Sequence, residues 1–122
     1  MFGGTHKIGP SHYLAGTWVW DGSNWTQQSP ATSPPARFGA AMAYDAATGN
    51  VVMFGGENKQ GQTPSDTWVW DGSTWTKQSP ATSPSARYEA SMAYDAATGN
   101  VVMFGGFETT AVQPRGDTWI WG

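Results

Sequence analysis

Cysteine is absent from this chain of 122 residues, which excludes disulfides and thiolate metal sites. Charge is scarce as well. Asp, Glu, Lys and Arg together make up 12% of the residues, and 9 acids against 6 bases leave a formal charge of -3. A nucleic-acid binder needs a basic face to neutralise phosphates, so no nucleic-acid partner is expected. No apolar run approaches the length that crosses a bilayer, and no membrane partner is expected either. The opening stretch, MFGGTHKIGPSHYLAG, lacks the basic start and long apolar segment of a secretion signal. The compartment, and whether a longer parent protein is secreted, stay open. Helical periodicity is missing throughout. What is plentiful is aromatic side chains, 14% of the residues with 8 tryptophans, together with 16 glycines and 8 prolines. That mixture suits short strands joined by tight turns.

The chain repeats itself. Residues 17–56 align with residues 67–106 at an offset of 50 without a gap, and only six of the 40 positions differ: 24/74, 27/77, 35/85, 38/88, 39/89 and 41/91. A third copy restarts at Thr118-Trp119-Ile120-Trp121. Each unit reads as four short strands, A to D. Strand A is expected over residues 36–45 and 86–95, with Phe38, Ala40, Met42 and Tyr44 on one side by the two-residue period. The stretch AATGN then supplies a turn, VVMFGG forms strand B, a variable loop follows, TWVW forms strand C, and a DGS turn leads to strand D at NWTQQ or TWTKQ. The prolines of SPATSPPAR forbid regular pairing on the way to the next strand A.

A strand ending in Gly-Gly (Gly55-Gly56, Gly105-Gly106), an aromatic pair on strand C (Trp68, Trp70) and a Trp opening strand D (Trp75) resemble the kelch repeat, whose length of about 50 residues also agrees. Two departures stand out. The tyrosine usual on strand C is Trp20, Trp70 and Trp121 here, and the frequent histidine of strand A is missing. The resemblance implies an all-β fold, a kelch-type β-propeller with one four-stranded antiparallel blade per unit. On this phase residues 1–29 form a partial blade with strands B-C-D, residues 30–79 a complete blade, and residues 80–122 a partial blade with strands A-B-C.

A propeller closes with roughly four to eight blades, and about two and a half cannot close. Open apolar faces and free strand edges invite association. The expected first partner is therefore the chain itself, in a homo-oligomeric ring of about six blades. Two copies with three blades each, the outer two left incomplete, keep MFGG and TWIWG in place. Three copies that exchange strands satisfy more backbone hydrogen bonds. The dimer is preferred over the trimer.

For function, no cofactor and no metal are expected. His6 and His12 lie in the first B–C loop without a converging set of ligands. The tryptophans admit a sugar-stacking platform, but their recurrence at the same positions favours packing between blades. The Arg115-Gly116-Asp117 triplet is explained by the repeat, because Asp117 aligns with Asp66. Variable loops on a rigid scaffold are where binding resides. The B–C loops differ almost completely, and four of the six substitutions cluster around the D–A loop, on the same side of an antiparallel blade. A protein, peptide or glycan ligand is expected there, with Arg37, Arg87, Tyr88, Glu89, Glu57, Glu108 and Arg115 as candidate contacts. The resemblance places Arg37 and Arg87 on the rim where some kelch domains bind acidic peptides, while a hydrogen bond holding the D–A loop is the other reading. The reading is a non-catalytic binding and scaffold module. A fragment of an extracytoplasmic carbohydrate-active propeller enzyme is the alternative.

Overall fold

The computed structural model of the chain describes residues 1–6, 12–109 and 113–122. Among these it contains strands and turns and no helix. The strands are β1 (Thr5–His6), β2 (His12–Tyr13), β3 (Trp18–Trp20), β4 (Trp25–Gln27), β5 (Ala41–Asp45), β6 (Asn50–Phe54), β7 (Thr67–Trp70), β8 (Trp75–Lys77), β9 (Ser91–Asp95), β10 (Asn100–Phe104) and β11 (Thr118–Trp121). They form antiparallel sheets in chain order: β3-β4, then the four-stranded β5-β6-β7-β8, then β9-β10-β11, with β1-β2 as a small hairpin. Phe2 bridges Thr17 and so takes the strand-B place beside β3. The turns are capped as their residue types require: the Asp71 carboxylate accepts from the backbone N–H of Ser73 and Thr74, and Asp45 accepts from Ala47 and Thr48, the Asx turn in each case.

Three expectations need correction. Strand A begins at Ala41 and Ser91, not at residues 36 and 86. The cause is a left-handed residue, Gly39 at φ 67° and Glu89 at φ 56°, which breaks the extended alternation. Phe38 therefore does not share the alternation of Met42 and Tyr44; it bridges Glu57 across the loop, as Tyr88 bridges Phe107. The ten expected strands also omitted the β1-β2 hairpin, which lies inside the first variable loop. Finally, strand D is three residues long at β4 and β8.

The core lies between sheets. Val51 and Met53 of β6, Trp68 and Trp70 of β7 and Trp75 of β8 share one face of the middle sheet by register. Phe2 covers that face, its ring 5.5 Å from Trp75 in an edge-on contact, and the Trp75 indole donates to Thr17 Oγ1 at 2.9 Å. The opposite face of the middle sheet, with Val52, Phe54 and Thr67, meets Val101, Met103 and Trp119 of the third. Large flat rings fill the wedge between neighbouring sheets and bury much apolar area.

Arginine clamps tie the loops to these sheets. Arg37 is 2% exposed; it donates to Gly55 O at 2.9 Å and to the Asp66 carboxylate at 2.6 and 3.0 Å, with Nε on Pro35 O. Arg87, 1% exposed, repeats the pattern on Gly105 O, Asp117 and Ser85 O. Each aspartate also accepts from an indole, Asp66 from Trp68 and Asp117 from Trp119. The Asp-Thr-Trp stretch that opens strand C is thus one unit with the arginine.

Two outcomes follow from this packing. Trp75→Ala should destabilise the chain by roughly 3–5 kcal/mol, the usual cost of truncating a buried large aromatic, read as a fall in the urea midpoint. For Asp66, burial pushes the carboxyl up, but the Arg37 guanidinium and the Trp68 indole outweigh it and hold it below its usual range; Arg87 and Trp119 hold Asp117 lower still. Folded values below the unfolded one give stability that is full above about pH 4 and is lost as pH falls towards the depressed values. Acid titration of the urea midpoint should show that loss. Asp66→Asn should cost roughly 3–5 kcal/mol at neutral pH by leaving Arg37 buried without its counter-charge, and its midpoint should fall less steeply with acid.

Candidate functional site

The D–A and B–C loops meet on one side of the sheets. Phe38 and Glu57 exchange backbone hydrogen bonds at 3.0 and 2.9 Å, and Tyr88 and Phe107 do the same at 2.9 Å each way. Arg37 N–H donates to Leu14 O, which brings in the loop after β2. Residues 7–11 of the first variable loop and 110–112 of the third lie outside the described residues.

Four aromatic rings from four separate segments line up across this side. Tyr13 lies 5.4 Å from Phe38, Phe38 lies 6.1 Å from Tyr88, and Tyr88 lies 6.0 Å from Phe107. The rings are tilted by 54°, 57° and 37°, so each leaves part of a face or edge open. Phe107 is exposed and the other three are half-buried. Such spacings are those of favourable aromatic pairs, and the row joins all three repeat units.

Acids interleave with the rings. Glu57 follows from its bridge to Phe38 and accepts from the Tyr13 hydroxyl at 3.3 Å. Desolvation, and then the Glu57 charge, push the Tyr13 phenol up, so its proton stays in that bond. Glu89 is exposed; its N–H donates to Gly39 O at 2.7 Å, and a Cβ at Gly39 would lie 3.3 Å from its Cγ. Glu108 pairs with Arg115 at the end of the row, and the Arg115 side chain, Ser85 and Arg87 hold its carboxyl below the usual range.

Of the seven candidate contacts, Tyr88 is one ring of this row, and Glu89, Glu57, Glu108 and Arg115 adjoin it. Arg37 and Arg87 lie beneath it, their guanidinium groups turned inward to the aspartates. Tyr13, Phe38 and Phe107 were not among the candidates. An aromatic at both 38 and 88 was a signal for the first row members, but Tyr13 and Phe107 sit in loops whose sequences do not align.

The tryptophans are arranged differently. Trp70 and Trp75 are buried, and they meet at 5.6 Å with a 48° tilt, as Trp20 and Trp25 do at 5.6 Å and 50°. Tilted pairs interlock with neighbours and do not form the flat floor on which a sugar ring lies. Beside them an open wedge of about 310 Å³ separates the first and second sheets.

No family model matches the chain, and no curated protein matches it. Among solved structures it is similar to one titled "Structure of YjhT", at 19% identity and a TM-score of 0.57, over 77% of this chain and 27% of that one. The chain thus spans about a quarter of the length of that structure, and the likeness concerns the fold alone: an all-β arrangement of antiparallel sheets.

Proposed function

We propose that this chain is a stretch of kelch-type β-propeller that binds without chemistry, joins copies of itself sheet to sheet, and takes its ligand where the D–A and B–C loops meet. The four-stranded middle sheet, the order of the sheets and the Gly-Gly and Trp-x-Trp landmarks support the propeller reading. The acids with hydrogen-bond partners at the turns and clamps, Asp21, Asp45, Asp66, Asp71, Asp95 and Asp117, are occupied in holding the turns and the arginines, which favours a scaffold over a catalyst.

One observation carries the assembly. The same repeat position is buried in the middle sheet and bare on an outer one. Trp75 is 2% exposed and its counterpart Trp25 is 52%; Phe54 is 3% exposed and its counterpart Phe104 is 53%. Inside the chain, Phe2 and Thr17 cover Trp75. Their counterparts on the third sheet are Phe104 and Thr118, and the counterpart of Trp75 on the first sheet is Trp25. The third sheet of one copy therefore offers the first sheet of another the same groups that already meet within the chain. Such a contact is head to tail and closes into a ring when the rotation allows. Two copies bring six sheets, within the range that closes a propeller.

Sedimentation equilibrium at tens of micromolar should give twice the chain mass of 13.1 kDa. Trp25→Ala and Phe104→Asp, both at exposed positions, should each return single folded chains. A wild-type single chain, a particle of three chains, or a dimer indifferent to both substitutions would contradict this assembly.

A further inference from the structure

We infer that the aromatic row is a docking surface for a basic peptide, with arginine side chains laid against its rings. This rests on the reading of the D–A and B–C side as the binding face and names its ligand class. The sequence had suggested the opposite charge, because two arginines fall in the loops. The structure turns both guanidinium groups inward onto Asp66 and Asp117, so neither faces a ligand on the outer side, where Glu57, Glu89 and Glu108 stand with the exposed Lys59. The Glu57 carboxylate accepts from the Tyr13 hydroxyl while its backbone bridges Phe38, and the exposed Glu89 side chain lies by Gly39, next to Phe38 and Tyr88 in sequence. Arg115, a cation at the end of the row, is paired with Glu108.

A guanidinium fits this surface in two ways at once. Its flat face is attracted to the negative face of an aromatic ring, and its edge offers a fork of N–H donors that matches a carboxylate. Glu57, Glu89 and Glu108 adjoin the rings, so an extended chain carrying arginines would find rings and carboxylates on one face. A neutral sugar would stack on the rings and donate hydroxyls to the acids, but it would not use their charge. An acidic peptide would be repelled.

Glu89 is held in an unusual conformation. It is the non-glycine residue with positive φ among the described residues, at a position where the neighbouring repeat has Gly39. The left-handed conformation is unfavourable for a residue with a Cβ, and packing does not demand the side chain, which is exposed. The exposed Glu89 carboxylate therefore stands beside Tyr88 at a cost in backbone strain.

The test is titration of the intact chain with a tetra-arginine peptide, followed by calorimetry and amide chemical shifts, beside a tetraglutamate peptide and cellohexaose. Tetra-arginine should bind and shift the amides of residues 38, 57, 88, 89 and 107. Glu57→Gln with Glu89→Gln should weaken it roughly fivefold, the scale of two exposed ion pairs. Tyr88→Leu, which keeps every charge, should weaken it roughly threefold through the lost ring face; attraction to net charge alone would not change. Glu89→Gly should raise the thermal midpoint while lowering affinity. Failure of tetra-arginine to bind, or binding unmoved by these substitutions, overturns the inference. Should cellohexaose or tetraglutamate shift the row instead, the ligand class is wrong and the face is right. Shifts confined to the turns at Asp21 and Asp71 would overturn the face as well.

Discussion

Everything in this fold depends on how one arginine carbonyl meets one glycine. The first glycine of the first two Gly-Gly pairs lies under the backbone of the next repeat's arginine: a Cβ at Gly55 would be 2.2 Å from Arg87 O, and one at Gly3 would be 2.4 Å from Arg37 O. The second glycine completes the junction, with Gly4 N–H on Arg37 O at 2.9 Å and Gly56 N–H on Arg87 O at 3.0 Å. Positive φ at Gly55, 71°, and the close approach both require a residue without a side chain. The arginine then reaches back with its guanidinium into its own sheet, onto Gly105 O and Asp117 in the case of Arg87. One residue thus joins two sheets by its backbone and fixes strand B to strand C of its own unit by its side chain.

The loops gain their shared side from this junction. Once Arg37 and Arg87 are fixed, Phe38 and Tyr88 follow them and are paired to Glu57 and Phe107. The left-handed step at 39 and 89 then swings the chain into β5 and β9. Two rings of the aromatic row, Phe38 and Tyr88, trace that backbone path at the surface in the second and third units. The same repetition sets the sheet faces. A face built to be covered by the next unit stays apolar on the outermost sheets, and Trp20, Trp25, Phe104 and Ile120 are exposed there.

Strand order, turn positions and the meeting of the two loop sets were readable because each depends on local residue types repeated at a fixed offset. Asp71 and Gly72 make a turn wherever they stand. The direction of Arg37 was not readable: an arginine in a polar loop serves a rim or a clamp equally well, and its aspartate lies 29 positions away at Asp66. The left-handed residue was hidden because glycine at 39 passes for a small member of a strand, and the Gly/Glu exchange with 89 reads as tolerance when it marks strain. The row itself draws on four segments, two of them in loops that do not align, so no single window contains it.

Native-state hydrogen exchange on Gly55→Ala tests the junction most directly. The added methyl displaces Arg87 O, and the amides of β9, β10 and β11 should lose protection while those of β6 and β7 keep most of theirs, because the third sheet is released from the second. Unchanged protection across the chain, or an equal loss in all three sheets, would contradict the claim that this contact is what couples one repeat to the next.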